Sequence, residues 1–133
     1  MLEKAGSKSF EYLLHEGAKP ASVRWLFADE TTLPVAVNVW ELPPGGSEGM
    51  HAHDDSDPIE EIYVVVEGEA MMRVDDEEHE LGPGDAVLAP VGSDHDLRNV
   101  GAGPLKVLVV WGRPGTADWS GYRITRERRA QVG

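Results

Sequence analysis

Apolar and polar positions alternate over short runs along most of the chain, and the runs are rich in valine and isoleucine. Alternation with a period of two is typical of half-buried β-strands. Glycine, proline and aspartate separate the runs, as in Pro43 to Gly46 and Gly82 to Gly84, and mark turns. The pattern predicts eight strands, at residues 23–28, 33–42, 60–67, 70–74, 79–81, 85–89, 95–100 and 105–111.

Almost no segment has a helical period. The one candidate helix, residues 125–131, is too short to be stable alone. Many short strands at close spacing predict an all-β antiparallel sandwich or small barrel with a short helical or irregular C-terminal tail. At 133 residues the chain has the length of a single domain. Its parts are a barrel core at 33–112, added N-terminal strands within 8–32 and a basic tail at 113–133.

Alternation also predicts which side chains share a face, because side chains two apart on a strand point the same way. His51 and His53 therefore share a face, and Glu61 shares one with Tyr63 and Val65. If the two histidines point into the barrel, Tyr63 points inward with Glu61. We expect Tyr63 to serve in packing, with a catalytic acid or base role as the alternative.

A third histidine, His95, shares a predicted face with Leu97 and Asn99, whereas Arg98 lies on the opposite face. Three imidazoles and the Glu61 carboxylate form a mixed nitrogen and oxygen ligand set for a divalent transition metal. His15 and His79 lie outside this pattern and are predicted to be surface residues. The chain has no cysteine, so a metal must be held by histidine and carboxylate.

The formal net charge is −12, but it is unevenly distributed. Residues 123–133 contain four arginines and one glutamate, a net +3, so the remainder carries −15. A field of that sign repels phosphate backbones and argues against a nucleic-acid partner. No apolar run has the length of a signal peptide or a membrane span. We therefore expect a soluble cytoplasmic protein with no membrane partner.

Two motifs in the chain resemble those of the cupin superfamily. The first, G-x5-H-x-H-x(3,4)-E-x6-G, is matched by Gly45, His51, His53, Glu61 and Gly68. The second, G-x5-P-x-G-x2-H-x3-N, is matched at every fixed position by Gly84, Pro90, Gly92, His95 and Asn99. The resemblance covers about residues 33–112. It implies a double-stranded β-helix, or jelly-roll, barrel.

The first motif departs from the family pattern, because seven residues separate His53 from Glu61 instead of three or four. Asp57 lies at the usual distance and is a rival ligand. The spacing from Glu61 to Gly68 favours Glu61, since that register puts the acid on the strand that leads into the turn. The acidic insertion, residues 54–57, is predicted to be a solvated loop at the barrel mouth, or else a lid or substrate-contacting rim.

The resemblance implies one divalent metal per chain (Fe, Mn, Ni or Zn) held by His51, His53, Glu61 and His95, and a homodimer. Three neutral imidazoles and one carboxylate leave the ion with a charge near +1 and with open positions. A small substrate that chelates through two adjacent oxygens as a monoanion suits that centre. We expect a metal-dependent dioxygenase or an isomerase, lyase or cyclase. The alternative is a non-catalytic cupin that binds a metal or small molecule.

Overall fold

A computed structural model describes residues 1–133, and its two antiparallel sheets pack against each other. Nine strands make up these sheets. They are β1 Phe10–Tyr12, β2 Ala21–Trp25, β3 Ala36–Leu42, β4 Glu60–Glu67, β5 Ala70–Val74, β6 Glu77–Leu81, β7 Ala86–Ala89, β8 His95–Asn99 and β9 Leu105–Gly112. A 3₁₀ turn, Leu14–Glu16, follows β1, and a second one, Ser120–Tyr122, leads into the helix α1, Arg123–Ala130.

The larger sheet has the strand order β1-β2-β3-β9-β4-β7, and the smaller sheet has the order β6-β5-β8. The strands that carry the two motifs therefore lie in different sheets, β4 in the larger and β8 in the smaller. The loop before β4 joins them, because Ser47 and His51 form antiparallel bridges to Arg98 and His95. This loop, residues 47–53, runs beside β8 as an extra short strand.

The core lies between the sheets and is built from alternate residues of each strand. On β4 the buried positions are Glu61, Tyr63 and Val65, while Ile62 and Val66 are exposed. Burial in an antiparallel sheet with one solvated face follows this alternation. The face assignments made from the sequence for β4 and β8 are therefore confirmed.

All eight predicted strands are present, with small differences at their ends. β2 ends at Trp25 rather than 28, because Phe27 adopts a left-handed backbone conformation (φ 51°) that a strand cannot continue through. β3 begins at Ala36 rather than 33, after Pro34, which has no N–H to donate to the ladder. β1, which the pattern of apolar runs did not identify, pairs with β2 at the edge of the larger sheet.

The C-terminal tail forms the predicted short helix, with bounds shifted toward the N-terminus. Every residue of α1 is exposed, and Arg123 pairs with Glu127 across one helical turn. Packing therefore does not hold this helix in place. No helix in the structure is long and apolar enough to cross a membrane.

Candidate metal centre

The four predicted ligands converge at one point between the sheets. The Nε2 atom of His53 lies 2.8 Å from Oε1 of Glu61, and the Nε2 atoms of His95 and His51 lie 3.6 Å and 3.9 Å from the same oxygen. Potential ligand atoms of all four residues lie within 4.8 Å of one another. Residues from the loop, β4 and β8 thus form one cluster that could hold a metal ion.

The second nitrogen of two of these rings has a backbone partner. Nδ1 of His51 lies 2.8 Å from the carbonyl oxygen of Gly49, and Nδ1 of His95 lies 3.1 Å from that of Ser93. A carbonyl oxygen only accepts hydrogen bonds, so a neutral ring carries its proton on Nδ1 and its lone pair on Nε2. This arrangement is typical of metal-binding histidines.

Both of these Nε2 atoms are buried and have no hydrogen-bond partner. Buried polar atoms without a partner are uncommon and costly, so their presence calls for an explanation. A divalent cation bound between His51, His95 and Glu61 would satisfy both lone pairs at once. The residues present therefore fit a metal ion.

Glu61 is the acid of the cluster, and Asp57 is not. Asp57 has a mostly exposed side chain that pairs with Arg113 at 3.3 Å. Glu61 is 5% exposed and faces the three imidazoles. The register deduced from its spacing to Gly68 is confirmed, because β4 places Glu61 on the inward face.

The surroundings of Glu61 favour its carboxylate form. Burial by itself raises the pKa of this acid, but the rings of His51 and His95 and the hydroxyl of Tyr63 stabilise the negative charge, and the net pKa lies well below its ordinary value. For His95, burial lowers the pKa, but the Glu61 carboxylate outweighs burial and raises it. A bound cation would take the place of that proton.

Tyr63 contacts the Glu61 carboxylate oxygen Oε2, whereas His53 contacts Oε1. Its side chain is completely buried, its hydroxyl bonds with Oε2 of Glu61, and it also lies 2.7 Å from Oε1 of Glu48. Burial, with Glu48 and Glu61 nearby, raises the pKa of Tyr63 well above its ordinary value. These contacts make Tyr63 a positioning residue for Glu61, and a catalytic role stays a prediction.

Sequence reasoning missed Glu48, which is fully buried. Burial and the charge of Glu61 raise the pKa of Glu48 well above its ordinary value, which favours the protonated form. The phenol of Tyr63 has only one proton to donate. If Tyr63 donates it to Glu61, the contact with Glu48 is a hydrogen bond only when Glu48 carries a proton and donates it to the Tyr63 oxygen. Glu48 lies between Gly45 and His51 in the first motif, and an acid inside that glycine-rich turn was the available signal.

His15 is exposed, as predicted, but it is also part of the site. Its ring stacks on the ring of His51 with centroids 3.5 Å apart and planes 13° apart. The pKa of His15 is lowered to about 4, mainly because the ring is partly buried against the site and secondly because His51 is close to it. The ring is therefore neutral at pH 7. No feature of the 3₁₀ turn that carries it pointed to this contact.

A second group of potential ligands, His15, Glu48 and His51, shares one residue with the first. Because Nδ1 of His51 is bonded to Gly49, both groups would need the same Nε2 atom. The surroundings lower the pKa of Glu61 and so favour its ionised form, whereas burial raises the pKa of Glu48 and favours its neutral form. The centre at Glu61 is therefore the better cation site.

Asn99 is a structural residue. Its Nδ2 donates to the carbonyl oxygens of Leu42 and Gly103, and its Oδ1 accepts from the backbone of Gly101. These bonds tie the end of β8 to the neighbouring turns. Both ends of this amide are therefore hydrogen-bonded within the fold, as expected of a buried polar side chain.

A cavity of about 400 Å³ adjoins the centre. His53 and Glu61 form part of its wall, and the rest comes mainly from β1, β2, β3 and β9. Trp40 and Trp111 both line it. A small molecule in this cavity would lie directly beside the metal ligands.

Comparison with known proteins agrees with this geometry. A family model described as a cupin domain matches residues 38–111. An uncharacterized protein of Methanocaldococcus jannaschii is 37% identical over 67 residues, which are 50% of this chain and 51% of that protein. An oxalate-binding protein of Thermotoga maritima is 31% identical over 70 residues, 53% of this chain and 55% of that protein. The matches thus span about half the length of both curated relatives.

Among solved structures, one from Thermotoga maritima described as a predicted oxalate decarboxylase superposes with a TM-score of 0.77. The match covers 86% of this chain and all of that one, at 22% sequence identity, and so shows the shared fold. The two packed sheets, the converging histidines and the family match over more than half of the chain lead to one conclusion, that this protein belongs to the cupin family.

Proposed function

We propose that this protein is a metal-dependent cupin enzyme that acts on a small oxygenated substrate. His51, His53, Glu61 and His95 would hold one divalent transition metal per chain, with Fe, Mn, Ni and Zn as the candidates. The observation that carries the proposal is the pair of buried, unpartnered Nε2 atoms that face the Glu61 carboxylate.

The charge of the ligand set suggests what the substrate is. Three neutral imidazoles and one carboxylate reduce the charge of a divalent ion to about +1, which favours a chelating monoanion with two adjacent oxygens. When bound, the metal supplies a Lewis acid and a template for such a ligand or, as Fe(II), a place for O₂. The protein keeps the ligands in place, through backbone carbonyls on two rings and Tyr63 on Glu61.

Two reaction types fit this centre, a dioxygenase and a non-redox isomerase, lyase or cyclase. The second candidate function is a non-catalytic binding protein. The relative named as an oxalate-binding protein favours it, since that name describes binding and not a reaction. Both functions use the same metal and differ in whether the bound molecule is changed.

Metal content tests the centre. We expect the purified protein, loaded with each candidate metal in turn and freed of excess, to retain one ion per chain by elemental analysis. His95→Ala should lose at least about 100-fold in metal affinity, because loss of a group that only hydrogen-bonds to a metal ligand already costs about 10–100-fold. The matched control is His79→Ala, since His79 lies outside the cluster and its ring nitrogen Nε2 lies 3.5 Å from Oε2 of Glu77.

A protein that folds normally by circular dichroism but takes up none of the four metals would refute the proposal. With metal bound, oxygen uptake coupled to loss of a 2-oxo acid or enediol would assign a dioxygenase. Turnover under argon would assign the non-redox class. Tight binding of the same compounds without turnover would instead support the binding protein.

A further inference from the structure

The cavity beside the metal centre is lined mainly by apolar side chains, eight of twelve wall residues being hydrophobic. We call its aromatic wall, Phe10, Tyr12, Trp25, Trp40 and Trp111, the aromatic subsite. Trp25 and Trp111 meet edge to face with ring centroids 5.2 Å apart. Such a wall favours a flat apolar body in the cavity.

Three of these aromatic residues are unusually exposed. Phe10 is 48%, Tyr12 58% and Trp25 39% accessible, and all three face the cavity. Exposed apolar patches of this kind commonly mark ligand or partner sites, because covering them removes apolar surface from water. An apolar ligand in the cavity would cover part of each ring.

The charges of the wall limit what the rest of the ligand can be. Its polar members are His15, Asn38, His53 and Glu61, and it contains no lysine or arginine. A second carboxylate or a phosphate group is normally bound by such cations. Apart from the metal centre, the wall therefore offers nothing to balance a dianion.

The volume of the cavity also argues against a small dianion as its ligand. A two-carbon dicarboxylate has six heavy atoms and fills about 200 Å³ at most, taking roughly 30 Å³ for each water-sized group. The cavity holds about 400 Å³. A ligand that fills it needs a further body of roughly the same size, and that body lies against apolar walls.

Asn38 is a buried wall residue with a free donor. It is 2% exposed, its Oδ1 accepts a bond from the indole Nε1 of Trp40 at 3.4 Å, and its Nδ2 has no partner. Since an indole N–H only donates, this contact fixes which end of the amide is the acceptor. A ligand oxygen in the cavity can accept a hydrogen bond from this NH2 group.

From these observations we propose that the substrate is an aryl-substituted chelating monoanion, such as an aryl 2-oxo acid. Its two adjacent oxygens would bind at the metal, its aromatic ring would lie in the aromatic subsite, and Asn38 would donate to one of its oxygens. This rests on the proposed metal centre for the chelating end only. The aromatic subsite and Asn38 belong to the wall and exist without the metal.

Binding of phenylpyruvate and pyruvate tests the proposal, because the two share a chelating group and differ in the ring. The full-length protein loaded with redox-inert Zn(II) is titrated with each by calorimetry. We expect phenylpyruvate to bind at least about 10-fold tighter than pyruvate, from burial of the ring, and also tighter than oxalate. Equal affinities, or tighter binding of oxalate, would overturn the proposal.

Variants of the wall residues test where in the cavity the ring of the ligand binds. Trp25→Ala should weaken phenylpyruvate binding at least about 5-fold and leave pyruvate unchanged, since it removes aromatic surface only. Trp119→Ala is the matched control, because Trp119 is half-exposed and lies outside the cavity. Asn38→Leu should weaken both ligands, since both carry the oxygens that Asn38 would bind. If Trp25→Ala affects both ligands equally, the ring does not occupy the aromatic subsite.

The metal content of each sample is measured first, which separates this proposal from the previous one. A chain that binds no metal refutes the metal centre. In the metal-free chain, 3-phenylpropionate should still quench the tryptophan fluorescence more strongly than propionate does at equal concentration. The same quenching by both acids would refute the aromatic subsite independently of the metal.

Discussion

At the scale of single residues, the atoms bonded to each functional side chain decide what it can do. Asp57 and Glu61 are rival ligands in the sequence, where the spacing to Gly68 favours Glu61, and their partners in the structure separate them. Asp57 lies in solvent beside Arg113, whereas Glu61 lies against three imidazoles and Tyr63. Only the second environment needs a cation for completion.

The two acids should therefore respond differently to neutralisation. We expect Glu61→Gln to weaken metal binding at least about 10-fold, because it removes the one charged ligand and leaves a single acceptor oxygen that cannot serve both the metal and Tyr63. Asp57→Asn should change it less than about 2-fold, since an exposed ion pair contributes little. Competition with a coloured chelator measures both, and the reverse order would move the acidic ligand to the loop.

At the scale of secondary-structure elements, the 3₁₀ turn Leu14–Glu16 and the loop of residues 47–53 pack so closely that only glycine fits between them. A Cβ on Gly17 would lie 2.1 Å from the carbonyl oxygen of Ser47, and one on Gly49 would lie 2.3 Å from that of His15. The backbone N–H of Ala18 also donates to Oγ of Ser47 at 2.7 Å. This contact places His15 over the ring of His51.

Gly49→Ala tests that contact, with Gly84→Ala as the matched control. Both glycines have left-handed backbones, φ +97° and +92°, but nothing lies within 4 Å of a Cβ on Gly84. In both variants an alanine must adopt a strained left-handed backbone conformation. Only in Gly49→Ala does the new Cβ also clash with a neighbouring carbonyl oxygen. Its free energy of unfolding should fall by about 1–3 kcal/mol more, as for overpacking in a core.

Denaturant unfolding measures the difference, and metal affinity supplies a second reading. Gly49→Ala should also weaken metal binding, since Gly49 accepts the hydrogen bond from His51. The control should bind metal as the wild type does. Equal losses of stability in the two variants would show that the turn moves away freely and is not packed as described.

At the scale of the whole molecule, the outer face of the larger sheet is unusually apolar. Ile62, Val66 and Leu88 are about half exposed there, and Ile62 is paired with Leu88 across β4 and β7. An exposed patch of this kind is typical of a surface that another chain covers. It is the natural place for the homodimer that resemblance to cupins led us to expect.

We therefore expect light scattering with size exclusion to give the mass of two chains. Ile62→Lys should shift the mass toward one chain, whereas Val100→Lys, at an equally exposed valine outside that sheet, should not. Each chain carries a net charge of −12, so added salt should strengthen the association by screening repulsion. A single-chain mass for the wild type would contradict the expectation.

Local pattern predicted the strands and their faces because both depend on neighbouring residues. Alternation placed Glu61, Tyr63 and His95 on inward faces correctly. β1 lies within the range 8–32 where added strands were predicted, but its exact position was missed because its three residues are all exposed and show no alternation of burial. Glu48 and His15 escaped prediction because their roles depend on contacts with distant segments, not on their neighbours in sequence.

The sequence by itself determined the fold class, the inward faces and the types of metal ligand, since turn residues, side-chain alternation and donor chemistry are local properties. Only the tertiary structure decided that the four ligand side chains come within reach of one another, why His15 and Glu48 belong to the site, and that an aromatic cavity with an unpartnered Asn38 amide adjoins it. These features arise where strands from different parts of the chain meet, and side-chain distances across sheets are set by packing rather than by sequence spacing.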